Sequence, residues 1–285
     1  MLFYVFLRNF APMILEMTKR PRTIIRIGRQ SLAFAIPVAN DTEGKVMQTM
    51  PMLRLEPYTV KSGMSMAANL REAFRDSAIL SLRNQRAQVL IDSPVLLVPL
   101  EEYEESELED MYRYTYPDSD KDAVETYVMH DLNCVAAFSI NKDVRMVITD
   151  HFDDVRLTPL HAPVWQHMHR RSYSGVARKL FVYLHEGQLN VFAFAKNRFR
   201  FQNTFLAKET ADMTYFVLYI WQQLAYDVLK DELHLVGDSN GVETLREELK
   251  KYVRNVFTIS PSAEFNRAPL TQLPHVTYDI ICLCE

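Results

Sequence analysis

The residues able to do chemistry in this chain are few and scattered. Gly63-Met64-Ser65-Met66-Ala67 has the outline of a nucleophile elbow, in which a sharp strand-to-helix turn exposes a serine hydroxyl. Ala67 stands where that motif carries a second glycine, and Ser65 directly precedes an apolar pattern of helical period. The hydroxyl is therefore assigned to capping a helix N-terminus, where it accepts an otherwise unpaired backbone N–H. Asp150, Asp153 and Asp154 together with His161, His167 and His169 supply enough carboxylate and imidazole for a metal. Their spacing fits no helical site, because His167 and His169 lie two apart and diverge by about 200° around a helix. A solvated loop followed by surface histidines is the expectation; neither a metal site nor a catalytic residue is assigned.

Two stretches interleave bases with aromatics, as single-strand binders do: Arg170-Arg171-Ser172-Tyr173 and Asn197-Arg198-Phe199-Arg200-Phe201. In the second, a period of two puts Phe199, Phe201 and Phe205 on one face of a strand and Arg198, Arg200 and Gln202 on the other. That is a core face and a solvent face. The acidic run Glu101–Asp110 reads as a solvated helix face. With a net charge of −4 the chain offers no field for a polyanion, so nucleic acid is not an expected partner. Cys134, Cys282 and Cys284 are an odd set without a disulfide spacing or the second pair that a zinc site needs, and a reducing cytoplasm is the expected setting.

The elements that must carry these residues are legible from periodicity. The chain has 285 residues, 48% of them apolar and only seven glycines, enough for one large domain or two medium ones around a substantial core. Thr23–Ile36 and Leu180–Ala195 are each an apolar run, a short turn with a glycine (Gly28, Gly187) and a second run. Each hairpin is followed by a further strand, over Met52–Val60 and from Arg198, and then by a helix. The first helix carries Met66, Leu70 and Phe74 at helical spacing. The second, around Met213, Phe216, Val217, Ile220 and Leu224, is apolar on nearly every side and crowded with Tyr215, Tyr219 and Trp221. Core packing explains most of that, and a subunit interface with self-association is the other reading. Asp92–Pro94 splits an apolar run into two strands, since proline cannot sit in a central ladder. Tyr278–Cys284 is expected to close the chain as a last strand.

Residues 1–22 are expected to be an N-terminal arm or a gene-model extension, with Met1, Met13 and Met17 as alternative starts. No stretch reaches the ~20 apolar residues of a spanning helix, so membrane insertion is not expected. Hairpins feeding crossover units build mixed α/β sheets flanked by helices. Two such units in tandem, residues 23–175 and 176–285, resemble the duplicated ribonuclease H-like subdomains of an actin-like ATPase arrangement, a fold in which the two hairpin turns face each other across a cleft.

The segments LFVYLHEGQLNVFAFAKNRFRFQNTF, ADMTYFVLYIWQQL, DELHLVGD and LKKYVRNV, together with the opening hairpin IIRIGRQSLAFAI, carry a resemblance. The chain is similar over Thr23 to its terminus to an uncharacterised bacterial domain family with an actin-like ATPase fold. More distantly it resembles the actin-like scaffolds of pilus and secretion machinery. The resemblance implies a fold and a family of unknown role. Active members of the wider class place an Asp-x-Gly at each hairpin, the carboxylate holding a nucleotide-bound metal and the glycine admitting phosphate. Here the first site reads Arg26-Ile27-Gly28, and a guanidinium has no lone pair to give a metal. The second has only Glu186-Gly187, out of register. The adenosine-type loop keeps Gly237 but follows it with Asp238, which opposes a phosphate. The expectation is a non-catalytic interaction or scaffold protein with an unknown protein partner and no cofactor. The alternative is an ATP-binding protein or ATPase with a rearranged site for Mg–ATP, drawn from Gly28, Arg29, Glu186, Gly187, Gly237 and Asp238.

Overall fold

Two hairpins seed two sheets with one and the same strand order. A computed structural model describes residues 21–38, 52–82, 84–237, 239–261 and 275–284. In the first half, β1 (Thr23–Ile27) pairs antiparallel with β2 (Leu32–Val38), and β2 with β3 (Met52–Tyr58). On its other side β1 pairs in parallel with β4 (Arg86–Ile91), which pairs in parallel with β8 (Asp154–Pro159). In the second half, β9 (Lys179–His185) pairs antiparallel with β10 (Gln188–Phe194) and β10 with β11 (Phe199–Leu206). β9 runs parallel to β12 (Glu232–Gly237) and β12 to β13 (Asn255–Thr258). The orders β3-β2-β1-β4-β8 and β11-β10-β9-β12-β13 superimpose element for element. Strands central to a sheet with both faces covered read as continuous apolar runs, and every residue of β1 and β9 is buried.

The crossover helices follow the same plan. α1 (Met66–Asp76) precedes β4, and Ser65 caps it by accepting from the Ala68 amide at 3.2 Å, as the sequence reading requires. The first half then inserts a small sheet of order β5-β7-β6, built from β5 (Val95–Pro99), β6 (Asp122–Met129) and β7 (Cys134–Asn141), with α2 (Glu105–Thr115) against it. α3 (Lys142–Thr149) leads into β8, and α4 (Ala162–Ser172) follows it. In the second half α5 (Thr210–Gln223) precedes β12 and α6 (Ser239–Leu249) precedes β13. α7 (Tyr278–Cys284) ends the described chain.

Three sequence expectations are corrected here. Tyr278–Cys284 is a helix, not a strand. A short apolar run is ambiguous by periodicity, and tertiary packing decides: Ile280 packs with Ile24, Ala35, Leu53 and Leu90 of the first sheet, while the other side of the helix meets α4. Second, none of the three histidines is a surface residue: His161 is 2% exposed at the start of α4, and His167 and His169 are buried within it. The latter two diverge around α4 as their spacing demands, yet both flanks are covered, His167 by the Tyr278 ring and His169 by Phe194. Third, Phe199 does not share a face with Phe201 and Phe205. A bulge puts Phe194 opposite Phe199 and Ala193 opposite Phe201, skipping Arg200. Phe199 therefore turns to Trp165, at 5.3 Å and edge-on, while Phe201 and Phe205 join the second core.

α4 and α7 exchange sides. α4 leaves the first sheet and packs on the second, its Trp165 indole donating to Asn190 Oδ1 of β10 at 2.8 Å. α7 leaves the second sheet and packs on the first. One apolar cluster consequently runs through both halves, from Ile25 and Phe34 through Trp165 and Met168 to Phe181, Tyr183 and Phe192.

Candidate functional site

Parallel strands of an α/β sheet open a crevice at their carboxyl ends, and that is where the polar residues of this molecule gather. Gly28 follows β1, Asp92 follows β4, His161 lies after β8 at the start of α4, and Glu186 follows β9. The first hairpin turn is closed by the Gly28 amide donating to the Ser31 carbonyl at 2.9 Å. The second is two residues long, Glu186 at φ 45° and Gly187 at φ 71°, the positive pair of a type I′ turn. Glycine adopts this freely. Glutamate does so at a cost of about 1 kcal/mol, which marks the position as one held for a reason.

That reason is an ionic lock. The Glu186 carboxylate reaches across the cleft and accepts from Arg26 Nη1 at 2.7 Å, the Ser31 hydroxyl at 2.5 Å and the Gln30 amide at 3.2 Å. Arg26 is 2% exposed and also donates through Nε to both oxygens of Asp279 at 3.1 and 3.0 Å. Asp279, fully buried in α7, further accepts from the Tyr183 hydroxyl at 2.8 Å and the Thr277 hydroxyl at 2.6 Å. Both hairpins and the returning helix are thus tied through one guanidinium. Burial works against the Arg26 charge, but the Asp279 and Glu186 carboxylates outweigh it and hold the guanidinium protonated more firmly than in water. Burial alone would likewise raise the pKa of Glu186; the Ser31 hydroxyl, Arg26 and the Gln30 amide hold it below the ordinary carboxylate range.

Beside the lock lies a second polar group. His161 and His185 face each other with Nε2 atoms 3.0 Å apart, His161 stacked on Trp165 and His185 on Tyr183. Burial and the neighbouring His185 keep His161 neutral, well below the usual imidazole range. Burial, with Arg26 and Arg29 nearby, lowers His185 to about 3. Asp92 accepts from Gln188 Nε2 at 2.5 Å, and burial raises it to about 6. A cavity of about 870 Å³, whose lining includes Arg29, Asp92, His161, Gln188 and Asn203, opens beside these groups.

The residues present do not fit a nucleotide phosphate at the hairpins. The Gln30 amide of the first turn already serves the Glu186 carboxylate, and the Gly28 amide is spent on Ser31. Arg26 stands where a metal-holding carboxylate would, with its Nε and Nη1 committed to two acids. Among the residues singled out in the sequence, Gly28, Arg29, Glu186 and Gly187 do come together at the cleft, Arg29 exposed on its rim. Gly28 admits Glu186: a Cβ there would collide with Glu186 Oε1, the Ser31 hydroxyl and Arg26 Nη1. A Cβ at Gly187 would meet, among the described residues, the Lys208 side chain at 3.6 Å. Gly237 has another task. Its φ is 120° and a Cβ would run into the Leu184 carbonyl, so glycine lets the end of β12 lie against β9. Asp238 lies outside the described residues. Sequence reasoning missed Asp279, Asp92, Tyr183 and the pairing of His161 with His185. A lone acid inside the apolar run Tyr278–Cys284, and another at the Ile91–Pro94 strand break, were the signals available.

A family model, DUF3822, described as a protein of unknown function, matches residues 16–256. The chain belongs to that family. No curated protein matches it. Among solved structures this DUF3822 chain is similar to a Bacteroides thetaiotaomicron protein with an actin-like ATPase fold and unknown function. The two share 25% identity and a TM-score of 0.77, over 93% of this chain and 96% of that one. It is also similar in fold to a chain of the PilM–PilN type IV pilus biogenesis complex, with 10% identity, a TM-score of 0.58 and coverage of 92% and 96%. The duplicated sheets are thus those of an actin-like ATPase fold, two ribonuclease H-like subdomains flanked by helices. Among the described residues, no helix is long and apolar enough to cross a membrane.

Proposed function

We propose that this DUF3822 protein is a non-catalytic interaction module of the cytoplasm, an actin-like framework held closed by its own side chains and used to bind another protein or a second copy of itself. One observation carries the reading: the Glu186 carboxylate sits on the Gln30 amide and the Arg26 guanidinium, supplying the negative charge that a phosphate would bring to such a turn. A cleft closed this way has its turn amide and its guanidinium already occupied. Two further features favour a binding role. The stacked rings of Tyr215 and Tyr219 on α5 are 64% and 47% exposed, where a helix facing only solvent would carry charge. The PilM–PilN complex places a protein of this fold in a protein assembly.

Thermal melting with Mg–ATP tests the reading. An interaction module keeps its transition temperature at every nucleotide concentration. A nucleotide-binding cleft present with ligand at a hundred times its dissociation constant gains ~2.7 kcal/mol and melts later. That shift would reject the proposal in favour of an ATP-binding protein.

A further inference from the structure

Asp92, His161 and His185 come from three separate segments, yet one ligand atom from each lies within 4.8 Å of the others. We propose that these three residues form a binding site for a divalent transition metal of the zinc class. Two imidazoles and a carboxylate are a ligand set of open zinc sites, which keep a fourth position for water or substrate. Imidazole selects zinc, nickel or copper over magnesium, which takes oxygen ligands. The site is therefore chemically different from the carboxylate-held metal–nucleotide site that the resemblance implies, and it stands apart from the interaction-module reading above.

Geometry supports it. Two nitrogens bound tetrahedrally at about 2.05 Å sit about 3.3 Å apart. The Nε2 atoms of His161 and His185 are already at 3.0 Å, and a carboxylate oxygen of Asp92 lies within 4.8 Å of a ring nitrogen of each. Without a metal, one ring donates its Nε2–H to the Nε2 lone pair of the other, a single hydrogen bond for two rings buried in an aromatic shell of Trp165 and Tyr183. The Nδ1 atoms of both rings find no partner among the described residues. Gln188 holds the Asp92 carboxylate as outer partners of metal ligands do, and the cavity on the Asp92 side gives both an entry path and the open position.

The test uses the full chain without an added histidine tag. After dialysis against zinc chloride, the wild type is expected to retain one zinc per chain by mass spectrometric metal analysis. It should melt later with zinc but not with magnesium, and cobalt(II) should give the visible d–d bands of a four-coordinate site. His161→Gln and His185→Ala are expected to lose the bound metal. Asp92→Asn, at the cavity edge, should weaken it by at least about tenfold. If His185→Ala does not fold, the Asp92→Asn and His161→Gln titrations decide. Failure of the wild type to retain zinc, stabilisation by magnesium in its place, or undiminished zinc binding in both of those variants would overturn the proposal. None of these outcomes bears on the Mg–ATP melt.

Discussion

The two halves of the molecule share a sheet order and differ in what their hairpin turns present. The first turn, after β1, offers donors: the Gln30 amide, the Ser31 hydroxyl and the Arg26 guanidinium behind them. The second, after β9, is shorter and presents an acceptor, Glu186, held in a left-handed conformation. A duplicated framework would ordinarily aim the same chemistry at the cleft from both sides. Here the two sides have become complementary, so the halves satisfy each other. The helices repeat the lesson. α4 and α7 trade sheets, and each carries one buried polar anchor into the other half, Trp165 to Asn190 and Asp279 to Arg26.

Breaking the anchors should rank them. Asp279→Ala leaves the Arg26 charge buried beside only Glu186 and should cost about 3–5 kcal/mol in urea unfolding, the largest effect among these changes. Glu186→Gln removes charge-assisted bonds at the cleft and should cost about 1.5–3 kcal/mol. It also carries a pH signature. The Glu186 pKa lies below its unfolded value of 4.5, so its contribution is complete above that pH and is lost as pH falls through the lower folded value. Wild-type stability should therefore drop in that acid window, and the Gln variant should show a shallower drop in urea midpoints between neutral pH and pH 3. Trp165→Phe keeps a ring on the second sheet but strands the Asn190 carbonyl, at about 1–3 kcal/mol, if α4 anchors the lobes as α7 does. Ser65→Ala, remote from the cleft, should cost about 1 kcal/mol through the lost cap alone. An equal loss at all four positions would erase the distinction between lock and framework.

The framework was legible in the sequence because its signals are local. Alternation marked the strands, Ser65 marked a helix start, and Asp92–Pro94 marked the end of β4. The site was half legible. Gly28 and Glu186–Gly187 announce two turns, and an arginine at position 26 announces that phosphate chemistry has changed. What Arg26 does was not visible, because its partner Asp279 lies 253 residues away in a segment whose period fits strand and helix alike. His161 and His185 meet only because α4 crosses to the second sheet. The burial of His169 has the same cause, and that of His167 comes from α7, as spacing fixes their directions around a helix but not what covers each side. The reversal of Phe199 depends on one bulged residue, Arg200, which no alternation pattern reveals.

The backbone amide resonances of Gly28 and Gln30 report most directly on whether Glu186 has taken the place of a phosphate. With Mg–ATP added in excess, both should stay where they are in the wild type, while Glu186→Gln should shift Gln30 by removing the charge its amide serves. Titratable movement of both amides in the unmodified protein on adding Mg–ATP would show that the turn yields to nucleotide and would contradict the lock.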